Sequence, residues 1–172
     1  SSPMSMRRSI PSLLVVLLPL LAAPALEARK NDREQPMAAR SDRQTGGLGD
    51  DDSIVMSGNV EITQGTLQVN AATATVERRG GDVQRIVLDG SPVRIRQQNE
   101  RGETIDASAA RVTYAPNEEI MVLAGDARVA QDRGEFTART IRYNVDTGSI
   151  DSGGDGGRVT TILQPKARPA GN

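Results

Sequence analysis

Apolar and polar residues alternate along most of the chain between Ser53 and Gln164, and the alternation restarts at intervals marked by glycine. Gly58-Asn59-Val60-Glu61-Ile62-Thr63-Gln64 is echoed by Gly125-Asp126-Ala127-Arg128-Val129-Ala130-Gln131. Gly90-Ser91-Pro92-Val93-Arg94-Ile95-Arg96-Gln97 and Gly157-Arg158-Val159-Thr160-Thr161-Ile162-Leu163-Gln164 repeat the run with one residue more. A period of two puts successive side chains on opposite faces, so the first three runs each predict a strand with one buried face. Recurrence of the whole unit predicts a stack of like strands.

A second echo follows within the units. Val69, Ala71, Ala74 and Val76 align with Ile105, Ala107, Ala110 and Val112, and with Phe136, Ala138, Ile141 and Tyr143. The later members of each set follow the first by two, five and seven positions, where a flat strand would give two, four and six. The extra residue reverses parity, so a bulge or corner must intervene if all four side chains face one interior. Turn chemistry marks Arg79-Gly80-Gly81-Asp82, Asn99-Glu100-Arg101-Gly102, Asp132-Arg133-Gly134 and Asp146-Thr147-Gly148. The expected fold is all-β: a twisted, open jelly-roll of short antiparallel strands folding over into two facing sheets.

The two ends read differently. Arg7 and Arg8 precede an apolar run from Ile10 to Leu21, and Ala23-Pro24-Ala25 supplies a small-x-small cleavage pattern. Residues 1–25 therefore predict a cleaved secretory signal, with Met4 or Met6 as the start. A retained anchor is the competing reading, although the run is shorter than the roughly 20 residues that span a bilayer. Residues 26–34 are expected to be flexible, 35–165 to form the domain, and 166–172 to be a disordered tail. Within the polar N-terminal stretch, Gln35 to Arg40 is the candidate for an edge strand. Asp50-Asp51-Asp52 reads as a solvated turn rather than a calcium site, because no further ligands follow at a usable spacing.

Composition narrows the chemistry. The 172 residues contain no His, Cys or Trp, which removes disulfides, thiol nucleophiles, imidazole bases and His- or Cys-ligated metals. Tyr114, Phe136 and Tyr143 are the only aromatic residues, too few for a platform of sugar-stacking rings. A net charge of −1 argues against nucleic acid as a partner. No catalytic group, metal site or cofactor is expected. An exported chain without cysteine suits a periplasm, where the fold must hold without disulfides.

Parity selects the inward candidates Val60, Ile62, Leu67, Val69, Val76, Ile95, Val112, Val129, Phe136, Ile141 and Tyr143. A stack also has two open edges whose backbone groups invite pairing. Met37 and Ala39 mark one edge; Val159, Thr161 and Leu163 mark the other.

Gln35 to Asp42, Ser57 to Leu67, Val122 to Ala127 and Arg158 to Pro165 together resemble the OstA-like family of periplasmic lipopolysaccharide-transport proteins, a likeness spanning nearly all of the chain after the leader. Ala39 departs from it, standing where family members often have a β-branched apolar residue. The resemblance implies a non-enzymatic carrier of lipopolysaccharide that joins head to tail with itself. It also implies LptC-like and LptD-like partners at the inner and outer membranes. The inward residues then become contacts for lipid A acyl chains, together with Met37, Ala39 and Tyr114. Arg78 and Arg79, flanking a turn at the rim, become candidates for lipid phosphate. Two alternatives stay open: a structural β-polymer without cargo, and an LptC-like protein retained in the inner membrane by its leader.

Overall fold

The computed structural model describes residues 32–166, 168, 170 and 171. The expected leader, residues 26–31 of the expected flexible segment, and residues 167, 169 and 172 of the tail lie outside the described residues. Residues 32–34 form a short 3-10 turn, in which Asp32 is buried. Its carboxylate accepts hydrogen bonds from the Thr66 backbone N–H and hydroxyl, which ties this turn to the domain. The end of the segment expected to be flexible is therefore held in place.

Among the described residues, ten strands form one antiparallel sheet. Six are long: β3 (Ile54–Gln64), β4 (Leu67–Arg79), β5 (Asp82–Gln98), β6 (Thr104–Ala115), β7 (Ile120–Gln131) and β8 (Gly134–Asn144). They neighbour one another in chain order. Four short strands cover the two ends. β1 (Ala38–Arg40) and β2 (Arg43–Gly46) each pair with half of β3, while β9 (Ile150–Ser152) and β10 (Thr160–Leu163) each pair with half of β8. The sequence pattern shows β1 as a candidate but gives no sign of β2, which lies in a polar stretch.

The strands are long because each continues through a corner. Pairing is interrupted between Ser57 and Val60, Asn70 and Thr73, Asp89 and Val93, Ser108 and Arg111, and Ala124 and Ala127. These interruptions lie side by side across the sheet, so the sheet creases along one line into two layers. On β3 the crease is made by Gly58 and Asn59, with φ of 79° and 46°. On β7 it is made by Gly125 and Asp126, with φ of 85° and 47°. Asn and Asp are the non-glycine residues that best tolerate this left-handed region. A Cβ on Gly125 would also lie 2.8 Å from the Ala110 Cβ of the adjacent strand. Gly58, Gly90 and Gly125 thus mark corners within strands, and the short strands that the sequence pattern starts there are their second halves; Gly157 lies in the loop before β10.

Inside the crease, Ile62, Leu67, Val69 and Ile95 of one layer face Ile86, Leu88, Tyr114 and Met121 of the other. Val93, Ala109, Val112, Leu123 and Ile141 are completely buried along its base. The core is a thin aliphatic seam.

Candidate functional site

Residues in register across adjacent strands line up into rungs on the inner face. One rung crosses the first layer from end to end: Ala39, Ile62, Val69, Ile95, Ala107, Val129, Phe136 and Thr161. In the second layer, Ile54, Val76, Ile86, Tyr114, Met121, Tyr143 and Ile150 make the corresponding rung. All the inward candidates lie on this inner face. Val60, Ile62, Leu67, Val69, Val76, Ile95, Val112, Val129, Ile141 and Tyr143 are buried, whereas Met37, Ala39, Tyr114 and Phe136 are partly exposed against the same core.

Three expectations need correction. The pattern aligned Val69 with Ile105 and Ala74 with Ala110, but the rung pairs Val69, through Ile95, with Ala107. The second unit therefore begins two residues later, giving Ala107, Ala109, Val112 and Tyr114. Ala109 is fully buried and Ala110 is exposed on the crease. The offsets of two, five and seven hold once the set is shifted. Several small residues in a row (Ala107, Ser108, Ala109, Ala110) carry no polarity contrast, so the alternation has no legible phase there.

Arg78 is the second correction. Its Nη2 donates to the carbonyls of Gly47 at 3.0 Å and Gly49 at 2.6 Å, and its Nε donates to Asp52 at 3.3 Å. Through these two nitrogens the guanidinium holds the Gly47–Asp52 loop, a structural role that the sequence pattern does not show. Arg79 is exposed at the end of β4. The aspartate run belongs to the same loop: the Asp51 carboxylate accepts from the Gly80 N–H and the Asp50 carbonyl from the Gly81 N–H. It docks one turn against another, and the described residues contain no metal-ligating cluster.

The third concerns residues that the pattern did not select. Met56, Ile86, Leu88, Met121 and Leu123 are buried as deeply as the candidates. Each lies two or four positions ahead of a corner glycine, on the same parity. Extending the alternation backwards through Gly58 and Gly125 reaches Met56, Met121 and Leu123, whereas on β5 the extra residue between Asp89 and Val93 shifts the parity and hides Ile86 and Leu88.

The groove between the layers is closed in this structure. The void among Ile62, Leu67, Ile95 and Met121 is about 20 Å³, room for about one water-sized group. Larger spaces lie at its margins. A cavity of about 780 Å³ opens along the lip, with Ile105 and Tyr143 in its lining. Another of about 360 Å³ lies at the β10 end, between Val129, Phe136, Ile150 and Leu163. Burial pushes the Tyr143 phenol up from its ordinary pKa, and a hydrogen bond with the Gln131 side chain partly offsets this. On the outer face, Arg128 donates to Glu135 at 2.8 Å, and this bond holds the Glu135 carboxyl below the usual carboxylate range.

The two edges present backbone. Ala39 is on the inner parity of β1, and Thr161 and Leu163 are on the inner parity of β10. Val159 immediately precedes β10. Leu163 is 73% exposed and Ile162 50%, so apolar surface accompanies the outer edge of β10, whose other edge pairs with β8. Among the described residues, no helix is long and apolar enough to cross a membrane.

Comparison with known proteins agrees with this architecture. A family described as "LptA/(LptD N-terminal domain) LPS transport protein" matches residues 40–149. The lipopolysaccharide export system protein LptA of Escherichia coli K12 is 33% identical over 157 residues, covering 88% of this chain and 84% of that protein. LptA of Haemophilus influenzae is 31% identical over 151 residues, covering 85% and 87%. The crystal structure of LptH, the LptA-homologous periplasmic component of the lipopolysaccharide transport device of Pseudomonas aeruginosa, has the same fold. Its TM-score is 0.72, at 22% identity, over 78% of this chain and 99% of that one. The chain belongs to the LptA/LptD N-terminal domain family of LPS transport proteins.

Proposed function

We propose that this protein carries lipopolysaccharide across the periplasm without catalysis, holding acyl chains between its two layers. One observation carries the reading: in a member of an LPS transport family, an unbroken rung of inward side chains runs from one open edge to the other. Each methylene moved from water into such a seam contributes about 0.8 kcal/mol. Because the seam is closed, lipid entry requires the layers to part at the lip, and acyl chains then take the place of contacts between layers. The ends support assembly. Each end strand is covered in two halves, so β10 of one copy meets β1 of the next while β9 meets β2, and both layers continue across the joint. The same edges would receive an LptC-like inner-membrane protein and an LptD-like outer-membrane protein.

The test is photo-crosslinking. A photoreactive residue at Ile95 or Phe136 labels added lipopolysaccharide, whereas one at Arg94 or Glu135, on the outer face, labels poorly. Equal labelling from both faces would overturn the groove. Polymers that form normally while neither face is labelled would favour the structural β-polymer.

A further inference from the structure

The inner face changes character at its last rung. In the first layer that rung holds Gln64 paired with Leu67, Gln97 paired with Ile105, and Gln131 paired with Gly134. A glutamine thus closes the inward parity of every second strand, at the same place in each repeat. Two strand spacings separate successive glutamines, roughly 10 Å. An aliphatic residue there would simply extend the seam. A half-buried amide at the margin of an apolar slot instead keeps donors and acceptors at the open lip, where water or a ligand can pair with them.

The partners in this structure are uneven. Gln64 Nε2 donates to the Gln35 carbonyl at 3.1 Å, within the N-terminal segment. Gln131 reaches across to the Tyr143 phenol in the second layer. Gln97 has no side-chain hydrogen bond to a described residue, and it lines the 780 Å³ lip cavity beside Gln131. The charges around that cavity are mainly carboxylates, including Glu34, Glu119 and Asp146; among the described residues its one cation, Arg101, is paired with Glu103 at 3.2 Å. Such a lip disfavours bare phosphate. Amides both donate and accept, so they suit uncharged polar groups.

Resting on the lipid-groove reading, we infer that Gln97 and Gln131, with Gln64 beside the first edge, form an amide row along the lip. This row receives the uncharged amide, ester and hydroxyl groups that join a glycolipid's acyl chains to its sugar head. A chain inserted in the seam brings those groups to the lip. The periodic spacing offers an equivalent station at every second strand, so the same contact can be remade as lipid advances.

The experiment compares two probes on the full chain: lipid A, and a fluorescent sixteen-carbon fatty acid that has the tail without the linkage. The variants are Gln97→Leu and Gln131→Leu, with Gln68→Leu on the outer face of the same layer as control. Each lip variant is expected to bind lipid A about five-fold more weakly, the effect of one ordinary hydrogen bond, with fatty-acid binding unchanged. Gln68→Leu should change neither. Equal weakening for both probes, or none for lipid A, would overturn the amide row while leaving the groove standing. Wild-type protein that binds neither probe would overturn the groove itself, and the row with it. Because Gln131→Leu also removes the bond to Tyr143, the Gln97 variant decides if the two differ, provided that its unfolding midpoint matches wild type.

Discussion

The centre of the sheet and its two ends belong to one antiparallel sheet but differ in length of strand and in exposure. From β4 to β7, every strand has a long neighbour on both sides, and Val93, Val112 and Leu123 are fully buried. At the ends, strands of three or four residues each hold half of a neighbour, and all four residues of β10 are exposed. A soluble sheet usually blunts such edges with charge, proline or a covering helix. Here the last strand reads Thr160-Thr161-Ile162-Leu163, with Ile162 and Leu163 exposed. The contrast separates two kinds of stability. The crease and its aliphatic seam hold the sheet together, while the end strands leave backbone groups open, as the proposed head-to-tail joint requires.

Removing the end while sparing the centre should have the largest effect. Deleting residues 158–172 takes away β10 and leaves all six long strands. Sedimentation at rising concentration should show linear oligomers for the complete chain and a species close to monomer for the truncated one. Circular dichroism should retain the β signature. A truncated chain that polymerises as before would mean that assembly uses another surface.

Matched leucines sharpen the same comparison. Leu123→Ala deletes a side chain with no solvent exposure and should cost about 2–5 kcal/mol in denaturant unfolding. Leu163→Ala, at an exposed site, should stay within about 0.5 kcal/mol yet weaken self-association. Comparable stability losses would show that the end strand belongs to the cooperative core.

The same division decides what could be read in the sequence. Alternation and turn glycines suffice for an all-β stack, because a half-buried face leaves a polarity contrast at every second residue. The crease was visible too, in the offset of Val69, Ala71, Ala74 and Val76. Placement is not legible where contrast is absent: the four small residues from Ala107 to Ala110 give no phase, and the inward set there lies two residues later than the alternation suggests. β2 escaped because Arg43-Gln44-Thr45-Gly46 is exposed throughout, so its strand character comes entirely from pairing with β3. The role of Arg78 was equally hidden, since the loop carbonyls that bind it lie about 30 residues earlier in the chain. Local patterns report burial, and long-range hydrogen bonds leave no such trace.

The smallest effect is expected where centre meets end. Glu135 lies on the outer face of β8, in register with Ile162 of β10, and accepts a hydrogen bond from Arg128 of β7 at 2.8 Å. That bond holds its carboxyl below the usual glutamate range, so Glu135 stays ionised in the folded chain at pH values where the unfolded chain takes up a proton. Its contribution is therefore fully present above the unfolded pKa and disappears as the pH falls through the lower folded one. Glu135→Gln should flatten the loss of thermal stability between about pH 5 and pH 3, measured against wild type in the same buffers. The difference should be modest and should shrink in high salt, because the pair is only partly shielded from water. Arg128→Met should remove the same acid sensitivity, and combining the two substitutions should add little. If Glu135→Gln keeps the full acid slope, other carboxylates set it, and the ion pair contributes nothing where the core joins its edge.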